Sequence, residues 1–184
     1  KPLSLDIDLS DNQISDNGGA ILLRWLGALA LRHRGGSKVR ILKLYKNQLG
    51  DGACEQLASL ISAQQAPMEE IHLSHNRIAQ RGLVALLVAI ATHPTGAYPR
   101  LASQGGECPC WVRVEYNRIA DVRGILESLA GEAVKLRICH APRSKHSASC
   151  TSYYCSSSSR SMAHVHLFCI SEQSVPPGAH CEKP

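Results

Sequence analysis

Four segments of this chain repeat one pattern: "IDLSDNQI", "LKLYKNQL", "IHLSHNRI" and "VRVEYNRI". Each reads apolar-x-apolar-x-x-Asn-x-apolar, with Asn12, Asn47, Asn76 and Asn117 as the fixed letter. After a short turn each is followed by a run of helical period: "GGAILLRWLGALAL", "GACEQLASLI", "RGLVALLVAI" and "VRGILESLAG". Four coincidences of this length make an internal repeat of one strand and one helix. Such a unit cannot cover its own apolar faces, so the chain is constrained to stack its units side by side.

The retained letters have physical reasons. Alternating residues of a strand point to opposite faces, so Leu42 with Leu44, Ile71 with Leu73 and Val112 with Val114 turn inward together. The Asn follows the strand where the chain turns away, and its amide is suited to backbone groups that no ladder reaches. In the helical half, Leu57, Leu60 and Ile61 share a face, as do Leu83, Leu86, Leu87 and Ile90. Those faces are expected to pad the strand layer from behind.

Successive Asn residues are 35, 29 and 41 positions apart. The two longer gaps contain Gly-, Pro- or charge-rich insertions, "RHRGGSK" at 32–38 and "TGAYPRLASQGGECP" at 95–109, each after a helix and before the next strand. A fifth strand, "VKLRIC" at 134–139, is expected without its Asn. On these cores the chain resembles the leucine-rich repeat family, in its ribonuclease-inhibitor-like subclass, over residues 3–140. The resemblance implies an α/β solenoid: a short horseshoe of four to five units, parallel strands on the concave face and helices on the convex face. It also implies a non-catalytic module that binds a protein partner through the concave face.

The expected organisation is a repeat region at 1–140, a Ser-rich loop or disordered linker at 141–163, and a capping strand with a flexible end at 164–184. The segment "HVHLFCI" at 164–170 alternates, with Val165, Leu167 and Cys169 on one side, and is expected to fold back over the open end of the stack. The chain opens on Lys-Pro rather than Met and reads as part of something longer.

The x positions of the strands give a readable surface. Strand by strand they are Asp6, Asp8, Ser10 and Asp11; Lys43, Tyr45 and Lys46; Glu70, His72, Ser74, His75 and Arg77; Trp111, Arg113, Glu115, Tyr116 and Arg118; and finally Lys135 and Arg137. From these, Lys43, Tyr45, Lys46, His72, His75, Arg77, Trp111, Arg113, Glu115, Tyr116 and Arg118 are the candidate partner-binding residues, since Trp, Tyr and Arg are enriched at interface hot spots. Trp111 is the leading anchor, because an indole on an open strand face is wasteful unless something covers it. The alternative is that Trp111 packs under the 95–109 insertion. The same basic and aromatic residues could instead meet phosphates and stack on bases, or the segment could serve only as a scaffold.

Composition narrows the classes. Lys and Arg number 20 against 15 Asp and Glu, a net charge of +5 that is too small to announce nucleic acid. No run of about 18 apolar residues exists, so no membrane span is expected. No phosphate-binding Gly-rich loop, nucleophile elbow or His-Glu-x-x-His motif occurs, and neither catalysis nor a cofactor is expected. Cys139, His140, His146, Cys150, Cys155, His164, His166, Cys169, His180 and Cys181 crowd the tail, but their spacing fits no familiar zinc site, so no metal is expected. Eight Cys without a compact framework fit a reducing, intracellular setting, cytoplasmic or otherwise.

Overall fold

A computed structural model describes residues 3–32, 38–101, 106–121, 124, 125, 127, 129, 134–139 and 162–168. In chain order, strand β1 (Ser4–Asp8) leads to helix α1 (Asp16–Arg32), β2 (Lys38–Lys43) to α2 (Asp51–Ala63), and β3 (Glu70–His72) to α3 (Gln80–Ala91). Two short strands, β4 (Arg100–Leu101) and β5 (Glu107–Cys108), pair antiparallel within the second insertion. Then come β6 (Cys110–Arg113), helical residues at Gly124, Ile125, Glu127 and Leu129, β7 (Leu136–Cys139) and β8 (Ala163–Phe168).

Each strand–helix step repeats the expected geometry. Leu42 stands beside Ile71 and Ile71 beside Val112 in parallel register, with the three side chains wholly buried. Leu57, Leu60, Ile61, Leu83, Leu86, Leu87 and Ile90 close the core from the helical side, where α1 packs on α2 and α2 on α3. Burial of this kind stabilises by about 25 cal/mol per Å² of apolar surface and is what holds successive units together.

The sheet has six strands in the order β1-β2-β3-β6-β8-β7, with every neighbouring pair parallel. This corrects the expectation for the last two strands. β7 does not lie beside β6, and β8 does not close the end of the stack; β8 runs between them, burying Ala163, Val165 and Leu167. A strand with three inward apolar residues fills an interior slot, whereas β7, with Leu136 and Ile138 only half-buried, suits the edge. The expected linker at 141–163 lies outside the described residues up to 161, as does the chain after 168.

The Asn residues perform the expected job in three of four units. Asn47 donates to Leu9 O (3.0 Å) and Leu44 O (3.1 Å) and accepts from Ile14 N (2.8 Å). Asn76 donates to Leu44 O (2.9 Å) and Leu73 O (3.0 Å) and accepts from Leu49 N (2.9 Å). Asn117 donates to Leu73 O and Val114 O, both at 2.9 Å, and accepts from Ile78 N (2.9 Å). Each amide therefore ties its own corner to the corner of the unit before it. Asn12 is exposed and, among the described residues, its amide donates to Ser10 O, two residues back.

A second coupling device was not read from the sequence. Neither α2 nor α3 carries a capping side chain of its own, since the N-cap residues are Gly50 and Ala79. The preceding unit supplies the acceptor: Asp16 Oδ1 takes Gly50 N (2.8 Å) and Ala53 N (2.7 Å), and Asp51 Oδ1 takes Ala79 N (2.8 Å). A carboxylate at a helix N-terminus also meets the positive end of the helix dipole. Asp51→Ala is expected to lower stability by about 1–2 kcal/mol in urea titration, more than Asp11→Ala, whose exposed pairing with Lys46 spans 4.0 Å.

Candidate strand-face and corner surface

The x positions of the strands line up in rows across the sheet. One row runs Asp8, Lys43, His72, Arg113, and another Ile41, Glu70, Trp111. Beyond the strand ends the ladder continues through Asp11 N to Tyr45 O (2.9 Å), Lys46 N to Ser74 O (2.9 Å) and His75 N to Glu115 O (3.0 Å). A third row, Asp11, Lys46, His75, Tyr116, thus sits at the corners just before the four Asn residues. All four adopt left-handed backbone, with φ of 60°, 54°, 55° and 58°. A non-Gly residue there costs about 1–2 kcal/mol, which the Asn bonds and inter-unit ladder offset. The common conformation gives the four side chains a common direction.

Two candidate anchors are corrected. Trp111 is only 5% exposed, so its indole is no open docking point. Glu115 is 3% exposed and accepts from Arg113 Nε at 2.9 Å, which also commits Arg113 inside the protein. Trp111 is the second residue of β6, and a strand-position argument gives the side of the sheet but not the cover over it.

Much of the remaining charge on the face is paired internally. Asp8 meets Lys43 at 3.8 Å, and Glu70 meets His72 at 3.0 Å. Near the start of the strands, Arg40 bridges Asp6 and Glu69, and Glu69 Oε2 also lies 3.4 Å from Arg100 NH1. Arg100 is buried and donates to Pro109 O (3.4 Å), so this cluster fastens the insertion to the third unit. The sequence reading missed Arg40, Glu69 and Arg100, because the cluster joins the starts of separate units to one insertion at one sheet end.

What stays open lies at the corners. His75 and Tyr116 are stacked, ring centroids 4.3 Å apart and planes within 19°, and both are exposed. Arg77 and Arg118, each two residues further on, are exposed and have no ion pair among the described residues; Tyr45 is half-buried and Lys46 exposed. Lys135 and Arg137 are exposed but do not extend these rows directly, since β8 intervenes between β6 and β7.

Little here resembles reaction chemistry. Cys54, Cys108 and Cys110 are buried; burial pushes the Cys54 thiol far up and the Cys110 thiol up to about 12, which keeps both protonated at neutral pH. Among the described residues no cluster of three or more His, Cys, Asp or Glu is arranged to hold a metal. The side chains of Cys139, His164 and His166, and the whole of His140, His146, Cys150, Cys155, Cys169, His180 and Cys181, lie outside what the structure describes. No described helix is long and apolar enough to cross a membrane.

A repeated strand–turn–helix unit, parallel strands and an inter-unit Asn ladder define an α/β repeat fold. A family model described as a leucine-rich repeat matches residues 5–22 and 65–87, the first and third units, and supports a leucine-rich repeat protein. No curated protein and no solved structure matches the chain.

Proposed function

We propose that the chain is a short leucine-rich repeat solenoid of the ribonuclease-inhibitor-like kind that binds a protein partner and catalyses nothing itself. Leucine-rich repeats generally mediate protein–protein interaction. The observation that carries the reading is the stacked, exposed His75–Tyr116 pair flanked by Arg77 and Arg118. Rigid aromatic rings beside exposed guanidinium groups lose little entropy on burial and offer both apolar area and forked donors, the composition of interface hot spots. The binding surface is therefore the corner row, centred on the third and fourth units, rather than the strand floor around Trp111. An acidic segment of a folded protein complements it.

Tyr116→Ala and Arg118→Glu are each expected to cut partner capture at least tenfold in an affinity pull-down from the native extract, read by mass spectrometry. Ser59→Ala, on the helical face, is expected to leave capture unchanged, and all three variants to melt within a few degrees of the parent. A hot-spot side chain contributes about 2 kcal/mol or more, which sets that tenfold floor. Normal capture by both corner variants would remove the corner row from consideration. If the captured species were nucleic acid, with affinity falling steeply as salt rises, the phosphate reading would replace this one. The internal pairing of Lys43 and Arg113 weighs against that outcome.

A further inference from the structure

We infer that the flank formed by β1 and α1 is an acceptor surface for one further strand–turn–helix unit of the same leucine-rich pattern, docked in parallel on β1. The argument rests on comparing equivalent positions of successive units. Trp25, Leu60 and Ala89 each lie 13 residues after their unit's Asn. Leu60 is 1% exposed and Ala89 7%, yet Trp25 is 60% exposed. Ile7 and Leu9 are only half-buried, while their counterparts Leu42, Leu44, Ile71 and Leu73 are sealed. Ile21 is likewise exposed on α1. The apolar pattern of the first unit is complete; what it lacks is the neighbour that every later unit has.

The polar groups agree. Asn47, Asn76 and Asn117 each reach back to a carbonyl and an N–H of the preceding corner, whereas among the described residues the exposed Asn12 amide donates to Ser10 O of its own turn. The interface already described between units thus continues unfilled onto this flank. A second copy of this chain fits it less well. Pairing β1 with β1 about a twofold axis would bring Asp6 and Asp8 of one copy against those of the other, a like-charge contact. A unit of the repeat type instead offers an apolar-x-apolar strand, a corner carbonyl for Asn12, and a leucine-bearing helix to cover Trp25.

The test extends the full chain by a second copy of residues 38–64 placed directly ahead of Lys1. This graft keeps the spacing that joins the second unit to the third, because Asp6 then follows position 64 as Glu70 does. Only Trp25 and Trp111 emit, and Trp111 is already buried, so tryptophan fluorescence reports Trp25. In the extended chain the emission is expected to shift to the blue. Asn12→Ala, nearly silent in the parent chain, is expected to lower the melting midpoint by about 4–8 °C there. An unshifted emission maximum with an equally silent Asn12→Ala would overturn the inference. So would dimerisation of the parent chain in sedimentation velocity that Trp25→Glu abolishes, since a second copy would then be the occupant. Neither outcome touches the corner row, whose test is partner capture.

Discussion

Asn76→Ala is expected to destabilise the protein by about 3 kcal/mol, while Asn12→Ala costs less than about 0.5 kcal/mol, although the two residues occupy the same letter of the repeat. Removing the Asn76 amide takes the acceptor from Leu49 N and a donor from both Leu44 O and Leu73 O. All of these belong to buried residues, where water cannot replace the lost bond. An unsatisfied buried backbone group costs about 1–3 kcal/mol, and relaxation of the corner recovers part of the sum. Among the described residues, Asn12 donates only to Ser10 O at an exposed turn, where water substitutes freely. Urea unfolding of both variants measures the difference directly. Equal effects at the two positions would mean that the amide shapes its own turn and does not couple units.

The same contrast shows which parts of the molecule were legible in the sequence. The strand–helix unit, its inward residues and the tie made by Asn47, Asn76 and Asn117 follow from periodicity and one recurring letter, since each obeys a local rule applied three times. The inter-unit cap did not stand out. Asp16 and Asp51 occupy equivalent places, but Gln80 replaces Asp in the third unit, and the bonded N–H groups lie 28 to 37 residues away in sequence. β8 was legible as an alternating strand, and its slot was not. Its place beside β6, with β7 outside it, depends on which late strand buries the more apolar surface there, and alternation within one segment does not rank the two. Trp111 was misplaced for a related reason: side-chain direction follows from strand period, but burial depends on what packs over the strand, which that period does not encode.

That distinction bears on function. A strand floor whose charges are neutralised within the protein and whose indole is packed away has little left to offer a partner. The corner row differs because left-handed backbone turns Lys46, His75 and Tyr116, all exposed, in a common direction at the ends of the ladder. The residues that shape each turn are thus adjacent to the Asn that locks it, so the rigidity of the surface is inherited from the repeat itself.

Gly82→Val is expected to destabilise by about 3 kcal/mol and Gly82→Ala by about 1–2 kcal/mol, both against the direction of helix propensity. In an exposed helix interior, Gly→Ala would stabilise by about 1 kcal/mol. Gly82 lies in the first turn of α3, where a Cβ would stand 2.6 Å from Asp51 Oδ1, 3.0 Å from Asp51 Cα and 3.0 Å from Cys54 Cβ. One of these atoms is backbone and another is the root of a buried side chain, so the neighbours yield only if α3 moves away from α2. That movement also stretches the bond from Ala79 N to Asp51 Oδ1, adding the loss of a cap to the steric cost. Gly19 offers the control: its Cβ would meet Leu49 Cδ2 at 2.4 Å, the end of a flexible side chain that is able to rotate. Gly19→Ala is accordingly expected to cost less than Gly82→Ala in the same thermal melts. A stabilising Gly82→Ala would show that the second and third helices do not approach as closely as the inter-unit cap requires.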